Sequence, residues 1–351
     1  MTSTPSSTPV VRVTIEGADL PMTAYDDLFE VSVIDDLEAP SMFTLKLTTW
    51  DDAARALTWV DDARLSIGND VEIGLGYAGD VATVIAGEIT SLELEMAAGE
   101  IPTLLVRGYD RRHRLARGTR TRTFTSMKDS DIAAQIARAR QLVPAVTDSV
   151  AVHAYVAQVA QTDLEFLVER AKDLNYIVVA SGTTLYFGPP PENQTATLAL
   201  SMSLDVIEFS PRMSTAGEPG AIEVRGWDPK TKQPIVAAAS AHDLDPMGTI
   251  TGPALADQAF GTATTSLVHR PVTTQQEADL RAKSALEEIA SGFIEGQGTC
   301  LGRPALRAGT VVDIQGLGTR FSGSYDVLST THAYSLRTGY TTRFSASRNA
   351  T

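Results

Sequence analysis

The chain has one cysteine, Cys300, in 351 residues, which excludes an intramolecular disulfide and any cysteine-ligated zinc cluster. Its neighbour Leu301 is apolar, so the thiol is expected to be buried. Histidine is also scarce. His113, His153, His242, His269 and His332 are scattered, none has a partner at metal-ligand spacing, and no H-E-x-x-H occurs. No apolar run approaches the ~20 residues needed to span a bilayer, so no membrane insertion is expected. Positive charge is in deficit, with 29 Lys and Arg against 43 Asp and Glu and a net charge of −14. A phosphate-binding surface needs clustered Lys and Arg, because its affinity comes from counterion release. The one dense basic run, residues 107–122 (RGYDRRHRLARGTRTR), is expected to face protein or to pair with the acidic excess, and no specific nucleic-acid binding is expected.

Catalytic signatures are missing too. There is no G-x-S-x-G elbow and no G-x-x-x-x-G-K-[ST] loop. Gly74, Gly76 and Gly79 spell G-x-G-x-x-G, with Glu93 downstream where a ribose partner would sit. A dinucleotide site needs a helix directly after the glycines. Residues 81–87 (VATVIAG) are β-branched without helical period, so a hairpin with positive-φ glycines is the better reading. His242, Asp243 and Asp245 could form a metal corner but sit in a polar stretch, and His332 lies in a strand pattern where a packed, hydrogen-bonded ring is expected. Asn193-Gln194-Thr195 spells a glycosylation acceptor, which means nothing without secretion. Carboxylates are abundant, yet nothing brings a pair together. No catalytic, cofactor-binding or metal residue is assigned, and no cofactor is expected.

The residues present are organised mainly as strands. With 43% hydrophobic and 21% charged residues the chain can bury a core. Residues 10–15, 29–34 and 42–47 alternate apolar and polar, as half-buried strands do. Residues 52–60 suggest one helical turn beside Trp50 and Trp59, both read as packing anchors. Residues 124–190 read differently. A helix follows Ser126, Asp129 and Ser130, then a linker. Thr162-Asp163-Leu164-Glu165 forms a capping box before a helix with Leu164, Leu167, Val168, Ala171 and Leu174 inward. Asn175 is a stop, and residues 176–179 and 185–187 form a hairpin about Ser181-Gly182. Residues 197–200, 206–209 and 221–225 resume strands, with a turn at 226–229. Residues 231–265 read as a long irregular excursion. A third helix, about 274–291, opens on Thr274 and Glu277, and four strands follow it.

The expected fold class is α+β, mainly β: two β-barrel-like units flanking a small α/β insertion. The boundaries are 1–9, a disordered tail and not a signal peptide; 10–118, a β unit; 119–194, the insertion; and 195–351, a second β unit with one helix. No internal sequence repeat is evident.

The order of motifs resembles the phage late-control gene D family, the baseplate hubs of contractile tails, related to the hub part of type VI secretion spike proteins. The resemblance rests on the Ser130-Asp131-Ile132 helix, on Tyr155 and Gln158 before Thr162 to Leu167, and on Leu185-Tyr186-Phe187 closing on Gly188-Pro189. Gly302-x-Pro304-x-Leu306-x-x-Gly309, Gly323-Ser324-Tyr325, a strand carrying His332, and Gly339-Tyr340-Thr341-Thr342 extend it. In the N-terminal half, Val71-Glu72-Ile73 to Gly76-Tyr77 and Ala86-Gly87-Glu88-Ile89 fit as well. The resemblance implies two tube-type domains per subunit and a non-enzymatic homotrimeric ring of pseudo-sixfold symmetry. It also implies a sixfold tail tube or tube initiator, a separate threefold spike and other baseplate proteins as partners. Assembly would take place in the bacterial cytoplasm, as a component of a phage tail or phage-tail-like particle. Two readings from other classes stay open: a β-rich carbohydrate-binding or adhesin module, and a tail-associated glycan hydrolase.

Overall fold

The computed structural model describes residues 8–190, 196, 198–268 and 272–351. It is α+β and mainly β, as the alternation predicted. Most of the tail, residues 1–7, and the Asn193-Gln194-Thr195 acceptor lie outside the described residues, as does His269.

One sheet runs through the whole chain. In spatial order its strands are Val206–Met213, Ile294–Leu301, Gly339–Arg348, Gly323–Ser335, Leu28–Asp36, Met42–Thr48, Thr103–Tyr109, Asp80–Glu95, Asp70–Tyr77, Pro9–Ile15 and Ala18–Asp19. Val311–Gln315 also pairs with Gly323–Ser335, and Leu198–Ser201 pairs with Val311–Gln315. The period-two pattern explains why these segments are strands. In Met42–Thr48, Phe43, Leu45 and Leu47 are buried while Thr44 and Lys46 face outward. The N-terminal and C-terminal β units are therefore joined edge to edge, through Leu28–Asp36 against Gly323–Ser335, with Ser335 opposite Glu30 and Ser329 opposite Asp36.

The two halves of this sheet share one topology. Each contributes four neighbouring antiparallel strands in the chain order first, second, fourth, third. In the N-terminal half these are Leu28–Asp36, Met42–Thr48, Thr103–Tyr109 and Asp80–Glu95. In the C-terminal half they are Val206–Met213, Ile294–Leu301, Gly339–Arg348 and Gly323–Ser335. The bulges coincide as well. Phe29 and Ile207 are each the extra residue of a first strand, and Thr90 and Leu328 each of a third strand. A bulge bends its strand and increases the twist. Here it lets each third strand leave an outer partner (Asp70–Tyr77 or Val311–Gln315) and continue along the fourth strand.

Four hydrophobic clusters fill the molecule. One lies under each half of the sheet: Val13 to Val106 with Tyr340, and Leu200 to Ala346. A third lies inside the insertion, from Leu115 to Phe187. The fourth was not foreseen. Residues read as an irregular excursion form the strand Gln233–Ser240, the helix Gly252–Phe260 and the strand Thr264–Leu267. Together with Ala221–Asp228 the two strands make a sheet against which the helix Gln275–Ser291 packs Ala278, Ala282 and Leu286. The turn expected at 226–229 begins later, since Gly226 and Trp227 are still in the strand.

Two further readings change. Residues 52–60 form no helical turn; Trp50–Asp51 and Ala56–Leu57 pair as a small hairpin. Trp59 packs in the core and donates to Asp27 at 2.8 Å, whereas Trp50 is exposed and donates to Asp52 at 2.9 Å instead of packing in the core. The insertion's supposed linker contains the strands Val143–Val146 and Val152–Gln161, the latter paired with Arg120–Lys128. The Thr162 capping box is formed on both sides, with Glu165 N donating to Thr162 Oγ1 at 3.1 Å and Thr162 N to Glu165 Oε2 at 2.8 Å. At the third helix only half of the box forms. Thr274 accepts from Glu277 N, while the Glu277 carboxylate takes Thr273 N.

Candidate functional site: an ionic joint and two free sheet edges

The glycine fingerprint is a tight hairpin. Asp70–Tyr77 and Asp80–Glu95 pair up to Tyr77 opposite Asp80, leaving Ala78-Gly79 as the turn, with Gly79 at φ +88°. A Cβ on Gly76 would collide with the Asp80 carbonyl. Glu93 lies on the same long strand, paired with Arg107 at 2.8 Å. The glycines therefore meet no helix N-terminus, and no phosphate cradle is built.

His332 is fully buried, with Nδ1 2.8 Å from Tyr340 Oη and Nε2 3.3 Å from Thr330 Oγ1. Burial, reinforced by Arg307, pushes its pKa down to about 4. Cys300 is buried, and desolvation pushes its thiol up to about 12. Asp243 caps its own turn by accepting from Ser240 N at 2.7 Å. Among the described residues no group of three or more His, Cys, Asp or Glu is arranged to hold a metal. Nor is any helix among them long and apolar enough to cross a membrane.

The basic run turns inward. Glu88, almost fully buried, receives Arg114 Nε at 2.9 Å and His113 Nε2 at 2.7 Å, with Arg111 at 3.5 Å. Burial alone would raise the Glu88 pKa, but hydrogen bonds from Arg114 and His113 and the charges of Arg114 and Arg111 hold it below the usual carboxylate range. Arg112 is buried with Asp110, its Nε donating to Asp110 Oδ2 at 2.9 Å. Its remaining donors reach the carbonyls of Asp36 at 2.8 Å, Leu37 at 3.2 Å and Val178 at 3.1 Å. One guanidinium thus ties the first β unit to the insertion. Asp163, buried in the first turn of Asp163–Lys172, accepts from Arg122 and Arg140, each at 2.6 Å. A carboxylate there also suits the helix N-terminus.

On its other side the insertion meets the helix Gln275–Ser291. Arg281 pairs with Asp173 at 3.1 Å, Ser284 Oγ donates to the Lys172 carbonyl at 2.6 Å, and Asn175 donates to Glu287 at 2.7 Å. Behind these contacts Asp129 is buried between His153 at 2.9 Å and Arg170 at 2.7 Å. Residues 119–194 therefore touch both the N-terminal half of the sheet and the helix Gln275–Ser291.

Two features carried no sequence signal. Glu218 Oε2 and Asp257 Oδ1 are buried with no hydrogen-bond partner among the described residues, and burial pushes the Glu218 carboxyl up to about 7. Among the described residues, the sheet also has two bare edges. Val206–Met213 pairs on one side only, and beyond Glu88 the strand Asp80–Glu95 pairs only with Thr103–Tyr109. Exposed apolar side chains cluster at both: Leu204 and Ile207 at the first, Leu94, Met96 and Ile101 at the second. A free edge with apolar neighbours can pair with another chain, although Glu208, Pro211 and Arg212 on one edge and Glu93 and Glu95 on the other restrict what it can take.

Comparison with known proteins agrees with the fold. The 43 kDa tail protein of prophage MuSo2 from Shewanella oneidensis superposes with a TM-score of 0.72 at 16% identity, over 97% of this chain and 98% of that one. A tail protein from Neisseria meningitidis MC58 gives 0.70 at 14% identity, over 97% of each chain. The E. coli c3393 protein, a type VI secretion component with structural similarity to the T4 tail proteins gp27 and gp5, gives 0.64 at 13% identity, over 96% of this chain and 77% of that one. No curated protein sequence matches the chain. The family model that matches is that of the Alg8 N-terminal domain, over residues 6–335. The chain has the fold of phage-tail and type VI tail proteins and belongs to the family of the Alg8 N-terminal domain.

Proposed function

We propose that the protein is a non-enzymatic hub of a contractile phage tail or injection particle, akin to late-control gene D proteins. Three copies form a ring that adapts a sixfold tube to a threefold spike. In this reading residues 10–118 and 195–351 are the two tube-type units and 119–194 is an insertion that braces them. The observation that carries it is the repeated topology. Each half supplies four strands in the same order, so three copies would present six like units to a sixfold tube. The eight strands alternate in direction, which lets one copy's last strand meet the next copy's first in antiparallel register without breaking the pattern. A head-to-tail interface of this kind closes into a ring when the rotation allows.

The test is light scattering on the purified chain, alone and with the spike and tube polypeptides of the same particle. Three chains per particle, formed alone or on adding the spike, is the expected result. A protein that stays a monomer and ignores both partners would overturn the proposal.

A further inference from the structure

The turn that joins Val206–Met213 to Ala221–Asp228 lies against the helix Gly252–Phe260, and two glycines set how closely. A Cβ on Gly252 would collide with Glu218 Oε2 and with the Phe293 ring, and a Cβ on Gly220 would collide with the Asp257 carboxyl group. Each segment thus lays a carboxyl group over a glycine of the other. Glu218 Oε2 and Asp257 Oδ1 are the atoms buried there with no hydrogen-bond partner among the described residues.

A carboxylate beside a helix N-terminus ordinarily takes the free N–H groups of the first turn. Here those donors are spent. Gly252 N donates to the Asn349 carbonyl at 3.1 Å, and Pro253 has no N–H. Ala254 N donates to Thr251 Oγ1 at 3.4 Å, and Leu255 N to the Thr251 carbonyl at 2.9 Å. Glu218 Oε2 therefore sits among Gly252, Phe293 and filled donors, a place that suits the neutral acid and penalises the anion. The charged groups around it bring no relief. Asp257 on the helix has its own sign, and Arg212 and Glu295 stand across an open cavity of about 240 Å³ without bonding it. In line with this, burial pushes the Glu218 carboxyl up to about 7.

The two sides of the contact are held unequally. The start of the helix is fixed, by the Gly252 bond to Asn349 and by the bridge between Thr251 and Ala350. The turn is held lightly: Ser214 N donates to the Phe293 carbonyl at 3.0 Å, and Glu218 N to the Thr215 carbonyl at 3.2 Å. Ala216 and Gly217 are exposed, and Gly217 has a φ of +87°. The cavity, lined by Ser214, Gly217 and Glu218 itself, gives the side chain a short path to water. We propose that Glu218 is a proton-operated latch: as the neutral acid it keeps residues 214–220 on the helix, and as the anion it swings into the cavity and frees them. The latch is closed at low pH, opens more readily as pH rises from 4.5 to about 7, and changes little above that. It works within one chain and does not depend on the ring reading.

Amide hydrogen exchange of the intact chain, read by mass spectrometry at pH ~5 and ~8 and corrected for the intrinsic rate, tests it. In the wild type, exchange of residues 214–220 should rise tenfold or more between the two values, while the helix Asp163–Lys172 stays protected at both. Glu218→Gln keeps the shape and cannot ionise, so its residues 214–220 should exchange equally slowly at both values. Three results would overturn the latch. The wild type could exchange alike at the two values, the Glu218→Gln chain could keep the pH dependence, or the rise could spread over the whole chain.

Discussion

The Arg112 guanidinium divides its donors between Asp110, the carbonyls of Asp36 and Leu37, and the carbonyl of Val178 far along the chain. Arg112→Ala would leave the Asp110 carboxylate buried with its cation gone. A loss of ~3–5 kcal/mol is expected, read from urea unfolding. Glu218 is a second residue-scale test. Its folded-state pKa, about 7, lies above its ordinary 4.5, so the fold holds a proton that the unfolded chain releases. Its contribution is full below 4.5 and is lost as pH rises through about 7. Glu218→Gln should therefore melt with the wild type at pH 4.5 and above it at pH ~8, checked by calorimetry at the two values. His332 has the opposite sign. Its pKa of about 4 lies below the ordinary 6.5, so that contribution is present above 6.5 and fades toward 4. The packed state of His332 was legible from its place in an alternating strand. The role of Arg112 was not: RGYDRRHRLARGTRTR announces excess charge and says nothing about which guanidinium faces inward.

At the scale of elements, the segments that could be read in the sequence have a local cause. The capping box of the helix Asp163–Lys172 is closed by side chains three residues apart, and Thr162→Ala should cost about 1 kcal/mol in thermal unfolding. The misread segments have causes distant in sequence. In Gln233–Ser240 the inward residues are Ile235, Ala237 and Ala239, and alanine gives little contrast with its neighbours. Their burial depends on the helix Gln275–Ser291, which presents alanines in return and so approaches closely. Ala282→Leu on that helix should overfill the contact and cost ~1–3 kcal/mol, against a near-neutral effect for the exposed Leu280→Ala. The ribbon of Arg120–Lys128 and Val152–Gln161 escaped notice for a related reason. It packs only Phe124, Val156 and Gln158 fully inward and leaves Tyr155 and Val159 in solvent, so its alternation looks like noise.

For the molecule as a whole, the mainly-β fold followed from the period-two pattern, whereas the single sheet joining both halves did not. The letters align Leu28–Asp36 with Val206–Met213 only briefly, Glu30 on Glu208 and Ser32 on Ser210, too short a match to stand out; the repeat is carried by strand order and bulge position. On the proposed ring reading, one third-to-first joint is formed within the chain and its equivalent is completed by a neighbouring copy. The direct measurement is disulfide trapping with Glu95→Cys and Ser210→Cys in one chain, positions that correspond to Ala333 and Ser32 of the internal joint. The native Cys300 is buried and will not compete. A closed ring predicts a dominant non-reducing band at three times the 37.4 kDa chain mass, absent from either single variant. A single-chain band alone, or an open ladder of ever larger species, would contradict it.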